Sequence, residues 1–538
     1  MKLADLLHII QPVRQQGHVS APLGRLRLDS RAVQKNDVFI ALRGTASDGH
    51  RFIRDAIRKG ARVIILEHIP EEFLAKSQSA AGAVRAPHDV MFLQVVDTRR
   101  ILGDLAQAFT GHPARSMYMV GVTGTNGKTT VCTLVYQVLH TLGYNTGLLG
   151  TVETRIGDRV IESSLTTPDA VQLAEILEDM AAIDTAFAVM EVSSHALEQH
   201  RVGGIRFNVA AFTNISQDHL DYHRDMASYI DAKKRLFAML DEGAIAVVNR
   251  DDPASSKVLE GCNADIWEFG FKGDKDFRIL DEGPEGLVLD LDGTIVSTPL
   301  TGRYNAYNVA QAYLICIALG CAKNSVAAAL DQATGAPGRL ERVIPALAQS
   351  PSSPKVFVDY AHTPDALLNV LQALSGVRQK GDTLHVVFGC GGDRDRSKRP
   401  KMGRIANKYA DVITLTSDNP RTEDPDAIIR DIRKGIVRSD KIFVEPNRRK
   451  AIRSSILEAD TKTMVLVAGK GHERYQEVHG RRRKFDDRET AQKALDEWIE
   501  RRIHKKGVKK GTGRKETGTS GNGRIASRPS GNPKREVN

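Results

Sequence analysis

Short apolar runs alternate with amphipathic stretches along most of this chain. In the first hundred residues, the runs at 37–42, 62–66 and 91–95 read as strands separated by polar turns. Residues 52–59 carry helical spacing and lead into Gly60, a residue suited to a helix C-cap. A further helix at 102–109 leads to Gly111-His112-Pro113, which marks a boundary. A second segment opens on the apolar run 117–122. A Gly-rich turn and a helical stretch at 129–142 follow, then strands at 187–192, 209–213 and 244–248. The cluster Gly335-Ala336-Pro337-Gly338 closes it. A third segment repeats the alternation, with strands at 355–359, 384–388, 412–416 and 464–468. Strands alternating with helices imply parallel sheets covered on both faces. The expected fold is therefore α/β in three domains, spanning 1–111, 112–340 and 341–500, followed by a tail at 501–538.

Charge changes this picture only at the end of the chain. The 538 residues carry a net charge of +10, but residues 501–538 alone hold twelve Lys/Arg against two Asp/Glu. The body is therefore neutral, which excludes a basic nucleic-acid-binding surface on the three domains. The tail is rich in Gly, Lys, Arg, Ser and Thr and is expected to be disordered, because it has little apolar surface to bury. It is read as a solvated extension, with RNA (nucleic acid) or anionic lipid as the partners its charge would suit. Aliphatic content is ample, with 41% hydrophobic residues. No window approaches the ~20 apolar residues of a membrane helix, and no secretory signal is read, so no membrane insertion is expected. The five cysteines are scattered without a CxxC pair, giving neither a disulfide framework nor a zinc site. A cytoplasmic monomer is the expectation.

The chemistry begins at the turn after the 117–122 strand. Gly124-Thr125-Asn126-Gly127-Lys128-Thr129-Thr130 precedes a helix, so backbone N–H groups and the helix N-terminus converge where a phosphate would sit. Lys128 suits the β/γ-phosphates and Thr129 a Mg²⁺ ion. The general GxxxxGK[ST] pattern is not met, since Val122 occupies the first glycine position. Glu191 ends a strand beside this loop, well placed to hold Mg²⁺. Downstream, Asp218, His219, Asp221 and His223 crowd another strand end, without the spacing of a zinc hydrolase. Residues 229–237, taken alone, form an amphipathic helix with a basic face.

The G-T-N-G-K-T-T loop resembles that of the Mur ligase and folylpolyglutamate synthetase superfamily, which couples ATP cleavage to amide-bond formation. Further motifs follow in family order across residues 1–501. The resemblance implies a uridine-nucleotide domain, a central ATP-binding domain and a C-terminal Rossmann-like amino-acid-binding domain. It implies that Lys233 is carbamylated and, with Glu191 and His219, holds a second Mg²⁺. It assigns Asn305 and Asn308 to the adenine side, Arg339 to the γ-phosphate, and Asp359 and His362 of the D-Y-A-H-T-P motif to the nucleotide border. It places Ser30, Thr166, Thr167, Ser193, Gln199 and Arg201 on the UDP-MurNAc-L-Ala-D-Glu substrate. Without the resemblance, Asp29-Ser30-Arg31 reads equally as a turn cap.

Asp418-Asn419-Pro420-Arg421 resembles the D-N-P-R motif of the members that add meso-diaminopimelate. The physical reason is direct: diaminopimelate ends in a second amino-acid head, whose carboxylate an arginine can grip bidentately. Lysine ends in an ammonium that Arg421 would repel. Arg394 is expected on a substrate carboxylate, Gly469 to bind through its backbone, and Glu473 to take the distal ammonium. The expected reaction is attack of a carboxylate on ATP to give an acyl phosphate, which the amine then displaces. A lysine-adding ligase, a folylpolyglutamate synthetase-like ligase and a nucleotide-gated binding protein are the alternatives.

Overall fold

A computed structural model describes residues 1–44, 47–74, 89–163, 165–216, 218, 222–273, 275–346, 353–437 and 440–511, with side chains to residue 503. Its first sheet has five strands in the order Arg14–Gly17, Met91–Gln94, Val63–Leu66, Val38–Ile40 and Leu26–Arg27. The last four are parallel, and Arg14–Gly17 adds an antiparallel edge. Every residue of Val63–Leu66 is buried, as a parallel strand covered on both faces requires. The helix Ile53–Lys59 ends at Gly60, whose φ of +117° lets its N–H reach back to Ala56 and Ile57.

The second sheet has eight strands: Asp265–Phe269, Ile245–Asn249, Val209–Phe212, Tyr118–Thr123, Phe187–Glu191, Thr146–Leu149, Glu153–Ile156 and Arg159–Glu162. The first six are parallel. Side chains alternate between two cores. Val120, Val122 and Val189 face the helices Lys128–Thr141 and Arg303–Ala318, while Met119, Ala188 and Met190 face Ala170–Ala181 and Met226–Ala238. Tyr118–Thr123 lies between Phe187–Glu191 and Val209–Phe212, neither of which is its neighbour in sequence. The strand order thus reverses beside it, opening a crevice at the carboxyl ends of these three strands.

The third sheet runs Glu341–Arg342, Lys355–Asp359, Thr463–Ala468, Thr383–Phe388, Val412–Leu415 and Ile442–Val444, all parallel except the first. The loops leaving Asp359, Phe388, Leu415 and Ala468 therefore all emerge on one edge.

Polar strands escaped the apolar pattern. Arg14–Gly17, the hairpin Glu153–Ile156/Arg159–Glu162 and the antiparallel meander Phe277–Gly283, Gly286–Leu291, Thr294–Thr298 carry many polar residues, because each leaves part of its surface to solvent. The tail also needs correction. The final helix spans Asp487–Gly511, so the segment expected to be disordered from 501 begins as helix. Its buried turns, with Leu495, Trp498 and Ile499, nucleate structure that propagates beyond them. Residues 512–538 lie outside the described residues. No described helix is long and apolar enough to cross a membrane.

The first two sheets are joined by backbone contact. A Cβ added at Gly103, on the helix Thr98–Phe109, would fall 2.6 Å from Gly203 Cα and 2.7 Å from its N and O. Arg27 extends the join by pairing with Glu175 at 3.3 Å. Gly103→Ala should therefore lower stability by about 1–3 kcal/mol through overpacking. Gly376→Ala, at a helical position with nothing within 4 Å, should leave it unchanged or raise it. Urea denaturation of both variants checks this, and equal midpoints would contradict the packing account.

Candidate active site

Strand Tyr118–Thr123 delivers the phosphate loop into the crevice. Gly124 and Gly127 have φ of +147° and +89°. A Cβ on Gly124 would lie 1.9 Å from Thr213 Oγ1, and one on Gly127 would lie 2.4 Å from Asn308 Oδ1, so both positions exclude other residues. The loop is clamped to the chain leaving Val209–Phe212. Thr125 N–H donates to the Asn214 carbonyl at 2.8 Å, Asn126 N–H to Asn214 Oδ1 at 3.1 Å, and Thr213 Oγ1 to the Asn126 carbonyl at 2.5 Å. Thr130 is buried in the helix that follows. Asn308 Nδ2 donates to Asn305 Oδ1 at 2.9 Å, and Asn305 Nδ2 to the Thr301 carbonyl at 2.8 Å, which fixes the amide against Gly127.

Two lysines meet on one carbonyl. Lys128 Nζ donates to Gly124 O at 2.8 Å and Thr125 O at 2.9 Å, and Lys233 Nζ donates to the same Gly124 O at 2.9 Å. Lys233, on the helix Met226–Ala238, is 1% exposed and sits 4.3 Å over the Tyr229 ring. Burial drives its pKa well below the ordinary lysine value, and the neighbouring Lys128 charge pushes in the same direction. Burial also lowers Lys128, opposed by Glu191. The Tyr229 hydroxyl, 3.1 Å from Thr125 Oγ1, is pushed up to about 12 by burial.

Glu191 is 1% exposed at the end of Phe187–Glu191. It accepts from Thr129 Oγ1 at 3.0 Å and from Thr151 N–H at 2.7 Å, and Thr151 Oγ1 lies 3.1 Å away. Among the described residues it makes no ion pair. A buried carboxylate held by neutral donors and touching the phosphate-loop hydroxyl fits a divalent cation. His219, the other expected ligand, lies outside the described residues. Thr151 was not foreseen, and no motif marks it.

A polar network extends from Glu191. Thr167 Oγ1 donates to the Glu191 carbonyl at 2.8 Å and accepts from Ser193 N–H at 3.1 Å. Arg201 donates to Thr167 O at 2.8 Å and to Gln199 Oε1 at 2.8 Å, and Thr166 Oγ1 lies 3.1 Å from Thr151 Oγ1. The structure thus gathers Thr166, Thr167, Ser193, Gln199 and Arg201. Ser30 stands apart, buried in the first domain's turn at Ser30–Ala32, where Asp29 accepts from Arg31 N–H at 2.8 Å.

Arg339 joins the second and third sheets. Its guanidinium lies 4.8 Å over the Tyr360 ring, and among the described residues its buried Nε has no hydrogen-bond partner. Burial raises the Asp359 carboxyl, with Arg339 holding it back, while Asp359 accepts from Leu340 N–H at 2.6 Å and Ala361 N–H at 2.7 Å. His362 is lowered by burial, and its Nδ1 lies 3.0 Å from the Tyr360 carbonyl. An orphaned buried guanidinium N–H, close enough to Lys128 to help lower its pKa, suits an anionic group.

On the third sheet's edge, two loops interlock. Asn419 Nδ2 donates to Glu473 Oε2 at 2.8 Å, and Lys470 Nζ donates to that oxygen at 2.7 Å and to Asn419 Oδ1 at 3.0 Å. Lys470 is fully buried, a partner that the charge pattern did not signal. Gly469, φ +118°, lies so close to Asp418 that a Cβ would fall 2.5 Å from Oδ2. Pro420 turns the chain so that a Cβ on Gly392 would meet its carbonyl at 2.0 Å. Arg421, at φ +52°, donates through Nη1 to Gly392 O at 2.7 Å. Arg394 is exposed and, among the described residues, makes no hydrogen bond or ion pair, which leaves its guanidinium available to an anion.

Beneath these loops lies a fully buried ion pair. Arg448 donates to Asp487 through Nε at 2.8 Å and Nη2 at 2.7 Å, and to the carbonyls of Ser417 at 3.3 Å and Ala468 at 3.0 Å. Those carbonyls immediately precede Asp418 and Gly469, so one guanidinium ties both loops to the final helix.

Three family models match in sequence order: the Mur ligase family catalytic domain over residues 24–110, the Mur ligase middle domain over 122–316, and the Mur ligase glutamate ligase domain over 338–471. The chain is 40% identical over 500 residues to UDP-N-acetylmuramoyl-L-alanyl-D-glutamate--2,6-diaminopimelate ligase of Cytophaga hutchinsonii, covering 92% of this chain and 99% of that one. The protein of the same name from Phocaeicola vulgatus is 39% identical over 91% of this chain and 98% of its own. A solved structure of a ligase with that name superposes with a TM-score of 0.64 at 32% identity, covering 89% of this chain and 96% of its own.

Arg448→Ala should cost about 3–5 kcal/mol, because it strands Asp487 as a buried charge. The double variant Arg448→Met with Asp487→Leu should recover much of that loss. Chemical denaturation of the three proteins checks this, and a loss below ~1 kcal/mol for the single variant would refute the account of this pair.

Proposed function

We propose, from the premise that this chain belongs to the Mur ligase family, that it joins meso-2,6-diaminopimelate to UDP-MurNAc-L-Ala-D-Glu with cleavage of ATP, in peptidoglycan precursor synthesis. The observation that carries the choice of amino acid is Arg421. It stands in an interlocked pocket beside Gly392, in a chain 40% identical to a named diaminopimelate ligase. Transition-state charge dictates the rest. The substrate's D-glutamyl carboxylate attacks the γ-phosphorus of ATP, and ADP leaves. The amine of diaminopimelate then attacks the acyl phosphate carbonyl, and phosphate leaves. Anion meets anion in the first step, so positioning and cationic clamping lower the barrier. Lys128 and Arg339, near enough for one charge to act on the other, supply positive charge to the transferred group.

Glu191, the Thr129 hydroxyl, His219 and Lys233 are proposed to hold Mg²⁺, which supplies neutralisation of phosphate and carboxylate oxygens. Burial supports the role of Lys233. A depressed pKa raises the share of neutral amine at any given pH, and only the neutral amine can add CO₂, losing a proton, to become an anionic carbamate. Thr166, Thr167, Ser193, Gln199, Arg201 and Ser30 are proposed to contact the nucleotide-sugar peptide. Asn305, Asn308, Asp359 and His362 border ATP. Arg394, Asp418, Asn419, Gly469 and Glu473 surround the amino acid. The three sheets supply the nucleotide-sugar, ATP and amino-acid sites in that order, in a cytoplasmic monomer.

Phosphate release with ATP, Mg²⁺ and UDP-MurNAc-L-Ala-D-Glu tests the reading. Release is expected with meso-diaminopimelate and not with L-lysine or without an amino acid. Release with lysine would overturn the specificity, and no release with either would overturn the function. Lys233→Ala should abolish ligation, with short carboxylic acids partly restoring it; an active variant would exclude the carbamate role. Arg421→Ala should weaken diaminopimelate use at least tenfold while the KM for ATP holds, since it removes a charge-assisted pair. Unchanged diaminopimelate kinetics would contradict the assignment.

A further inference from the structure

The amino edge of the third sheet, opposite the loops of the candidate active site, carries a surface of its own. The turn that joins helix Pro425–Arg433 to strand Ile442–Val444 lies there, because the helix must return from the carboxyl end of Val412–Leu415 to the start of a parallel neighbour. The final helix points the same way. Arg448 pairs with Asp487, Arg453 with Glu497 at 2.6 Å, and the Ala459 carbonyl accepts from Trp498 Nε1 at 2.8 Å. The final helix therefore runs alongside Arg448–Leu457 in the same direction, and from Ile499 to Gly511 it extends about 18 Å further, at ~1.5 Å per residue. Ile442–Val444 closes the sheet, and among the described outermost strands it alone has no polar residue. An edge strand is normally blunted by charge. Here Phe443 is 52% exposed, and Val437 in the preceding turn is 90% exposed. Residues 433–441 hold four Lys/Arg against Asp440 alone. Among the described residues, Arg433 and Lys441 make no ion pair, and both are exposed. The final helix repeats this combination. Ile503 is 62% exposed, and residues 501–511 hold six Lys/Arg and no Asp/Glu.

We propose that the amino edge of the third sheet is a docking surface for an anionic lipid bilayer, with Val437 and Phe443 at one end and Ile503 at the other entering the headgroup region. Charge selects an anionic partner, since each exposed apolar side chain stands among unneutralised lysines and arginines. The apolar side chains select lipid over nucleic acid, whose phosphates give Val437 and Ile503 nothing to bury against. The spacing selects a broad, flat partner. The final helix packs over Lys355–Asp359, which is four strands from Ile442–Val444 in the sheet, so the two stations lie about 19 Å apart at ~4.8 Å per strand. One apolar tip or one basic segment binds a bilayer only weakly, whereas the two acting together hold it. The surface lies across the sheet from the phosphate-loop crevice and the Arg421 loop, so docking and ligation are compatible. The proposal does not depend on which amino acid the protein adds.

The test is co-sedimentation of the full-length protein with vesicles of equal parts phosphatidylglycerol and phosphatidylcholine, beside vesicles of phosphatidylcholine alone and a single-stranded RNA. The protein should bind the anionic vesicles at least tenfold more tightly than the neutral ones. Val437→Ser combined with Phe443→Ser should weaken vesicle binding about tenfold and leave RNA binding unchanged. The single change Val437→Ser, at a side chain almost wholly in solvent, should act in the same direction with an unaltered urea midpoint. Lys505→Gln, Lys506→Gln, Lys509→Gln and Lys510→Gln together should weaken vesicle binding at least tenfold. Phosphate release with the ligase substrates should be the same in all these variants. Equal binding to neutral and anionic vesicles, RNA bound more tightly than anionic vesicles, or serine variants that bind vesicles like the wild type would each overturn the proposal. Loss of phosphate release in the wild-type protein would overturn the proposed function and leave this surface standing.

Discussion

The carbonyl oxygen of Gly124 accepts hydrogen bonds from Lys128 and Lys233 at 2.8 and 2.9 Å, and this shared acceptor governs the site's electrostatics. Two ammonium groups so close, and away from water, cannot both keep their protons at ordinary cost. Burial lowers both, opposed chiefly by Glu191 at Lys128 and by Asp218 at Lys233, and Lys233, with burial and the Lys128 charge acting together, is driven well down. The phosphate loop is held shut by the same contact. Its geometry, the helix that carries Lys233 and the loop that carries Asn214 are therefore one unit, positioned by the parallel strands beneath.

The second constraint is that two α/β units must meet on one small group. Gly338, φ +67°, packs so closely on the third sheet's loop that a Cβ would fall 2.2 Å from His472 N. Arg339, the next residue, then lies over Tyr360 with one N–H unsatisfied among the described residues. Close glycine packing at the junction holds a cation at the seam between the phosphate-loop crevice and the third sheet's loops. Below the pocket, Arg448 fixes the two loops to a buried carboxylate. The hairpin Tyr475–Val478/Arg481–Lys484 holds Arg421 through backbone hydrogen bonds.

The sequence made the parallel strands legible because strands buried on both faces are apolar throughout: Lys355–Asp359 has the expected bounds, and Phe187–Glu191 ends one residue early. Edge strands such as Arg14–Gly17 were not legible, since a strand with one wet side shows no continuous apolar run. The phosphate loop announced itself through its glycines. Thr151 and Arg448 did not, because each is held by a partner distant in sequence. Arg448 and Asp487 are thirty-nine positions apart, and no local pattern distinguishes a buried arginine from the solvated ones beside it. The role proposed for Lys233 rests on resemblance; its burial is a property of the fold.

The central claim is that the buried amine of Lys233 becomes an anionic carbamate that helps hold the metal. The most direct measurement is ¹³C NMR of the protein equilibrated with ¹³C-bicarbonate, with ligase activity followed in parallel. The account predicts one labelled carbamate resonance that is absent from Lys233→Arg, and activity that falls when CO₂ is stripped and returns when it is restored. A fully active protein with no carbamate signal would contradict it.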